Sequence, residues 1–292
     1  MFGIALKDLL GLTVIAAIIT TAGSLLGSFL KDFLFARSLE SWKSKNALQA
    51  AYRKFRDPIL LSAIELCNRL HEICEPRGQE FMDASLLLSC PKQQSTNTTD
   101  DLYFRHYKVV STLYRFCAFL GWLELYRQEI TFLDSGHAKV NKKFEEALKA
   151  IRGVLADGHL NTAHNWQSWS DFLMFREEQR AIGEIMIVSG ASQRTVIGYA
   201  QFCKLLECPD YCDRWFKSAI SLLTDFDGEF QNFRLVRLNL LNTHLVSLIR
   251  LLDKEKITKR MADIEIEAKA NAQRLIAAGS GLADEAISEQ LV

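Results

Sequence analysis

The pattern of apolar and polar positions changes character three times along the chain. Between Asp8 and Lys31 lie 22 residues without a charge, Leu9 to Leu30. Coiled as a helix they span roughly 33 Å, against about 30 Å for the hydrocarbon core of a bilayer. Eleven of the 22 are Leu, Ile, Val or Phe, which supply about −3 to −7 kcal/mol toward insertion. The run exceeds the apolar core of a cleaved signal peptide, and no small-x-small cleavage site follows it. It reads as an uncleaved transmembrane helix. Within it Thr13, Ala16, Thr20, Gly23 and Gly27 recur at spacings of 3, 4, 3 and 4, a seam of small side chains along one face that suits packing against a second copy.

The following stretch turns basic. Lys31, Arg37, Lys43, Lys45, Arg53, Lys54 and Arg56 face only Asp32 and Glu40. The positive-inside rule places this side in the cytoplasm, with the short N-terminus outside. Phe29, Phe33, Phe35 and Trp42 suit an interfacial aromatic belt. Residues 38–56 are predicted to form a basic juxtamembrane helix that ends at Asp57-Pro58, with Pro58 in the first turn of the next helix.

Beyond it, apolar positions recur at helical spacing. Leu60, Ile64, Cys67, Leu70 and Cys74 mark one helix, and Gln79–Leu88 is a weaker segment. Cys90–Asp101 (CPKQQSTNTTDD) reads as an exposed loop. Leu102–Leu133 predicts a long helical stretch with a junction near Gly121, ended by Asp134-Ser135-Gly136. Lys139–Leu155 and Ser168–Met186 are amphipathic, with a loop over Asp157–Asn165. Ile185–Tyr199 holds two β-branched runs around Ser189-Gly190-Ala191-Ser192, a hairpin signal. Tyr211–Leu223, Phe230–Leu252 and Glu255–Ala278 are predicted helices, and residues 279–292 a flexible tail. The fold class expected is mainly α: an N-terminal transmembrane helix and an α-helical bundle with one small β-hairpin. The expected divisions are 1–37 (anchor), 38–56 (juxtamembrane helix), 57–253 (cytoplasmic domain) and 254–292 (charged helix and tail).

Composition narrows the function classes. Of 292 residues 49% are apolar, and 35 basic side chains balance 35 acidic ones. That excludes an intrinsically disordered chain and argues against a generally basic nucleic-acid binder. Seven cysteines, an odd number, and a cytoplasmic domain do not make a disulfide framework. Cys67, Cys74 and Cys117 fall in apolar helical patterns as small core residues. Cys203, Cys208 and Cys212 lack a neighbouring His for a zinc site. No metal or cofactor site is expected, and no nucleophile elbow, P-loop or dinucleotide fingerprint occurs.

Charge inside apolar helices is the remaining chemical signal. Arg176, Arg180 and Glu184 are four apart on one helix face, with Glu178 and Gln179 among them. Glu124, Arg127 and Glu129 form a second cluster inside LGWLELYRQEITFLD, and Glu65 with Arg69 a third pair. Arg forks at such positions suit an anionic ligand or a partner. The candidate binding residues are Glu124, Arg127, Arg176, Glu178, Gln179, Arg180 and Glu184, with no catalytic residue assigned.

The same stretches carry a resemblance. They are Tyr52-Arg53-Lys54-Phe55-Arg56-Asp57-Pro58 with Arg69-Leu70; Gly121-Trp122, Glu124, Arg127, Glu129 and Phe132-Leu133-Asp134; Glu178-Gln179-Arg180-Ala181-Ile182-Gly183-Glu184; Gly198-Tyr199-Ala200 with Phe202; and Leu248-Ile249 with Leu251-Leu252-Asp253. Over roughly residues 50–253 the chain resembles a family of actinobacterial and cyanobacterial proteins with an N-terminal anchor and a helical domain. The family has Gly before the Glu-Gln-Arg stretch, where Glu177 stands here. The resemblance implies an architecture and no reaction.

The functional expectation is a single-pass protein of the bacterial plasma membrane, self-associating through its span. Its cytoplasmic helical domain would serve protein interaction or sensing, with the bilayer, further copies of itself and a cytoplasmic protein as partners. The alternatives are an effector that assembles in the bilayer in stress or phage defence, and an anchored enzyme using Glu178, Arg180 and Glu184. The enzyme requires the two charged clusters to be neighbours.

Overall fold

The computed structural model describes residues 6–87, 97–131, 142–156, 173–190, 194–226, 231–253 and 264–275. The fold is mainly helical, with one two-stranded hairpin. The elements are α1 (Leu6–Cys74), α2 (Pro76–Gln79), a 3-10 turn (Ala84–Leu87), α3 (Asn97–Thr131), α4 (Lys142–Ala156), α5 (Arg176–Ile185), β1 (Ile187–Ser189), β2 (Arg194–Val196), α6 (Tyr199–Leu206), a π-turn (Tyr211–Trp215), α7 (Lys217–Leu223) and α8 (Gln231–Leu252). A last helix, α9, covers 264–275. The chain divides into two compact units, one including residues up to Ala50 and the other Ala51–Phe132 with Lys139–Val292.

In the first unit the helix carries large exposed apolar side chains: Ile18, Ile19, Leu25 and Phe29 are 62–72% exposed. Ala16, Thr20, Gly23 and Gly27 are exposed too. The Thr20 hydroxyl donates to the Ala16 carbonyl and the Thr21 hydroxyl to that of Ala17 at 2.7 Å, so these polar side chains are satisfied within the helix. A Cβ added at Gly23 or Gly27 meets no heavy atom within 4 Å. Thr13 lies on the same helix, its side chain outside the described part.

In the second unit α1 and α3 run antiparallel. Lys54 bonds Glu129 at 3.2 Å, Arg69 Nη2 bonds Ser111 Oγ at 3.3 Å, and Lys108 pairs with Glu72. The residue numbers in these three pairs sum nearly to a constant, as an in-register helical pair requires. Between the polar ties sit Phe55, Ile59, Leu66 and Leu70 from α1 and Phe116, Phe119, Leu123 and Tyr126 from α3, all buried. Arg69 turns to Ser111 and to Glu72 at 3.2 Å, so the expected Glu65–Arg69 pair does not form. The helix α5 and the hairpin pack on α3, and α4 packs on α8. The α7 end is tied to the 3-10 turn by Asp225, whose amide donates to the Met82 carbonyl (2.7 Å) and whose carboxylate accepts from the Ala84 amide (2.9 Å). Its φ of 54° is left-handed, a region Asp tolerates better than most residues.

Several boundaries differ from the sequence reading, each for a reason in the packing. The helix does not stop at Asp57-Pro58; α1 continues through Pro58. An interior Pro costs about 3 kcal/mol. Burying Phe55 and Ile59, 1% and 0% exposed, returns about 1.5–3 kcal/mol each, so the continuous helix wins. Likewise α3 passes through Gly121 without a junction. A Cβ there would stand 2.9 Å from Met186 Cβ and 3.1 Å from a Val196 methyl, so Gly121 seats the hairpin. Of the helix predicted over Ser168–Met186, residues 168–172 lie outside the described residues, 173–175 are not helical, and α5 starts at Arg176 after the extended Phe175. Tyr211–Leu223 is split into the π-turn and α7, and residues 97–101 of the expected loop are already helical. The hairpin forms as expected, with Ile187 opposite Val196 and Ser189 opposite Arg194. Residues 90–96, Asp134–Gly136, Asp157–Asn165 and the tail 279–292 lie outside the described residues.

Hydropathy and burial separate at α8. Arg234–Leu252 is the one described helix long and apolar enough to cross a membrane by length and composition, and 67% of it is buried inside the domain. Its Arg237, Asn239 and Asn242 are all at most 4% exposed, and Arg237 donates to the Val154 carbonyl of α4. That is a central core helix. In α1 the apolar stretch among described residues is Ala16–Phe29, shorter than the about 20 residues that span a bilayer.

Two predictions follow from the packing. At Gly183 of α5 a Cβ would stand 2.6 Å from Glu124 Cβ and 2.8 Å from the Leu120 carbonyl oxygen. Ala there should destabilise by about 1–3 kcal/mol, whereas Gly153→Ala, where nothing lies within 4 Å, should stabilise by about 0.5–1 kcal/mol. Equilibrium denaturation checks both; equal effects at the two sites would refute the close approach. The second concerns pH. Burial, helped by Lys269, holds the His244 imidazolium pKa below its ordinary value. Below about pH 6.5 the unfolded chain therefore binds a proton that the folded one resists, and stability falls with pH. His244→Gln should flatten the stability loss between pH 7 and 5.5, read from thermal midpoints.

Candidate functional site

The sequence-predicted charged residues converge where α3, α4 and α5 meet. Small residues make this possible. Gly183 faces Glu124 and Leu120 so closely that no side chain fits between the helices, which brings the next residue, Glu184, to the same junction. On the third side the Gln179 amide donates from Nε2 to the Arg152 carbonyl of α4 at 3.1 Å and to the Met174 carbonyl at 2.9 Å. The amide thus links α5 to α4.

At the centre is Glu124, 2% exposed. Arg127 grips it with two parallel bonds, Nε to Oε2 at 2.7 Å and Nη2 to Oε1 at 2.5 Å, and Gln128 Nε2 adds a third at 2.8 Å. A bidentate, charge-assisted contact of this kind is among the stronger polar interactions in proteins. It raises the Arg127 pKa above its ordinary value, the bond to Glu124 being the chief cause. Gln128 Oε1 in turn accepts from Arg194 of β2, so the network reaches the hairpin.

The remaining candidates divide by role. Glu178 reaches back to accept the Phe175 amide at 2.7 Å; it caps the N-terminus of α5, half of a capping box. Gln179 is a buried tie, and its Oε1 has no hydrogen-bond partner. Arg176, Arg180 and Glu184 share the exposed side of α5. Glu129 belongs elsewhere, paired with Lys54.

Sequence reading missed Arg152, Gln128 and Arg194. Arg152 is half-buried in α4. Burial pulls its pKa below the ordinary value, Glu124 and Glu145 oppose that, and Arg180 and Arg127 add to it. Arg in KAIRGVLA occupies an ordinary amphipathic register, so only the contact of three helices reveals it. The core thiols behave as expected from their pattern: burial pushes Cys67 and Cys74 up to about 12, far from the thiolate range. Among the described residues no group of three His, Cys, Asp or Glu is placed to hold a metal.

No family model, curated protein or solved structure matches this chain. The resemblance to actinobacterial and cyanobacterial proteins therefore rests on the quoted residues alone.

Glu124 is fully engaged, Glu178 is spent on a helix cap, and Glu145 accepts from Tyr126 at 2.9 Å. Cutting the central pair tests the network. Glu124→Ala strands a guanidinium and should cost about 3–5 kcal/mol. The double variant with Arg127→Ala should cost less than the sum of the single variants, with a coupling of about 1–3 kcal/mol in a double-mutant cycle. Strict additivity would mean the pair contributes nothing.

Proposed function

We propose that this protein is a single-pass, membrane-anchored helical module of a bacterial plasma membrane, with its domain on the cytoplasmic side, acting in protein interaction or sensing. The observation that carries the reading is the uncovered apolar helix of the first unit. Ile18, Ile19, Leu25 and Phe29 lie open in a segment uncharged from Leu9 to Leu30. Water around such a surface is costly, at about 25 cal/mol per Å², and hydrocarbon removes that cost. The hydroxyls of Thr20 and Thr21 are bonded to their own helix, which lowers their penalty in lipid. The basic stretch from Lys31 to Arg56 supports the orientation. The open Gly23 and Gly27 positions support self-association through the small-residue seam, since backbones can approach closely there.

The anchored-enzyme alternative gains the one condition it needed, because the two clusters are neighbours. It loses two of its carboxylates, Glu124 and Glu178, to structural bonds, and the binding module is the reading we retain.

An exposed native thiol supplies the test. Cys208 lies at the surface of the domain. In intact cells an impermeant maleimide should label Phe2→Cys and leave Cys208 unlabelled until the cells are opened, in a membrane fraction that resists carbonate. Extraction by carbonate, or labelling of Cys208 in closed cells, would overturn the reading. Gly23→Ile with Gly27→Ile should abolish crosslinked dimers while leaving the thermal midpoint of the domain unchanged.

A further inference from the structure

Two thiols meet at the bend between α6 and α7. Cys208 and Cys212 are four residues apart, and the backbone between them is helical: Pro209 and Asp210 lead into the π-turn, with Asp210 at φ −56° and ψ −34°. The two residues therefore stand one turn apart on one side of the segment. The end of α6 holds both. The Cys208 amide donates to the Leu205 carbonyl at 3.1 Å, and the Cys212 thiol donates to the Leu206 carbonyl at 3.6 Å. They differ in access. Cys208 is exposed, and Cys212 is 8% exposed. Burial above all, then Asp213 and Cys208, raises the Cys212 thiol pKa above its ordinary value, so a reagent from solution meets Cys208 first. The bend itself is irregular, and π-type turns occur frequently at functional sites. This one packs on α5, α6 and α7, and its Tyr211 stacks on Phe216 at 6.3 Å. A covalent change in it reaches three helices.

We propose that Cys208 is a modification site for hydroperoxides, with Cys212 as the thiol that resolves the oxidised form to a disulfide. The Cys208 thiolate attacks the peroxide. An S–O bond forms, the O–O bond breaks, and the alcohol or water leaves; the sulfur gives up two electrons and becomes a sulfenic acid. The Cys212 sulfur then attacks the Cys208 sulfur. The S–S bond forms, the S–O bond breaks, and the Cys212 proton leaves with the hydroxide as water. Two low-molecular-weight thiols return the pair to the dithiol and are oxidised to their own disulfide. Neighbours one helical turn apart have Cβ atoms about 5–6 Å apart, whereas a relaxed disulfide needs about 3.5–4.5 Å. The bridge therefore tightens the turn by about 1–2 Å, and such strain keeps it easily reduced. A labile bridge suits a reducing compartment, where lasting disulfides are rare. The proposal is independent of the anchor and of the charged junction.

Both thiols fall on one tryptic peptide, Leu205–Arg214, so mass spectrometry reads the outcome. The full chain in neutral detergent is treated with equimolar hydrogen peroxide, alkylated and digested. The expected product is that peptide two hydrogens lighter than its dithiol form, at a rate independent of protein concentration, and its loss on addition of glutathione. In Cys212→Ala the bridge is lost and Cys208 accumulates as a sulfenic acid that dimedone captures. In Cys208→Ser the Cys212 thiol stays unmodified. Cys208 is exposed, so its variant keeps its fold and decides the matter if Cys212→Ala unfolds. An unreactive Cys208, oxidation of Cys208 past the sulfenic stage without a bridge, a bridge to another cysteine or to a second copy, or oxidation of Cys212 in Cys208→Ser overturns the proposal.

Discussion

A carboxylate buried in a helical core must be neutralised where it stands, and Glu124 imposes that requirement on everything around it. An unpaired charge at 2% exposure costs several kcal/mol, more than half of a marginal domain's stability. Its neutralisation needs Arg127 one turn on and Gln128 beside it, both on α3. Its burial needs α5 to come down on top of it, and only glycine at 183 leaves the room. The capping of α5 by Glu178 and the Gln179 tie to α4 then fix where that helix begins and what it leans on. The charged stretch of α5 is therefore an architectural consequence of a buried acid. Its inward-facing members hold the junction, and Arg176, Arg180 and Glu184 lie on the exposed side.

How much of this the sequence disclosed follows from the range of the interactions. Helical periodicity is local, and it revealed most helices and the β-branched hairpin. Where tertiary burial outweighs a local signal, the reading failed. Pro58 and Gly121 are local breakers that sit in continuous helices because Phe55, Ile59, Met186 and Val196 bury against them. Both charged clusters could be picked out, since charge in an apolar register is conspicuous. Their meeting could not, because it depends on a contact between α3 and α5 some sixty residues apart. Arg152 could not either, as an Arg on an amphipathic helix looks like solvated surface until two other helices close over it.

The contrast between α8 and the first part of α1 shows what hydropathy alone conflates. Both are apolar, α8 over Arg234–Leu252 and α1, among the described residues, over the shorter Ala16–Phe29. In α8 several polar residues are buried, among them Arg237, which donates to the Val154 carbonyl of α4, and Asn239, which donates to the Leu235 carbonyl of its own helix. Its surroundings are protein, and its apolar side chains are already out of water. In α1 between Ala16 and Phe29 the hydroxyls of Thr20 and Thr21 bond their own backbone, and Ile18, Ile19, Leu25 and Phe29 are open. The same transfer free energy has been collected in one helix and remains to be collected in the other. That difference in burial is one that mean hydropathy does not register.

Charge is distributed with the same economy. The chain as a whole is neutral, yet the stretch from Lys31 to Arg56 holds seven basic residues against two acidic ones, which leaves the remainder with an excess of five acids. Three of those seven, Arg53, Lys54 and Arg56, belong to the second unit, and at physiological salt the field of exposed charges fades within about 8 Å. The basic stretch therefore acts on what lies against it, as Lys54 does through its 3.2 Å pair with Glu129.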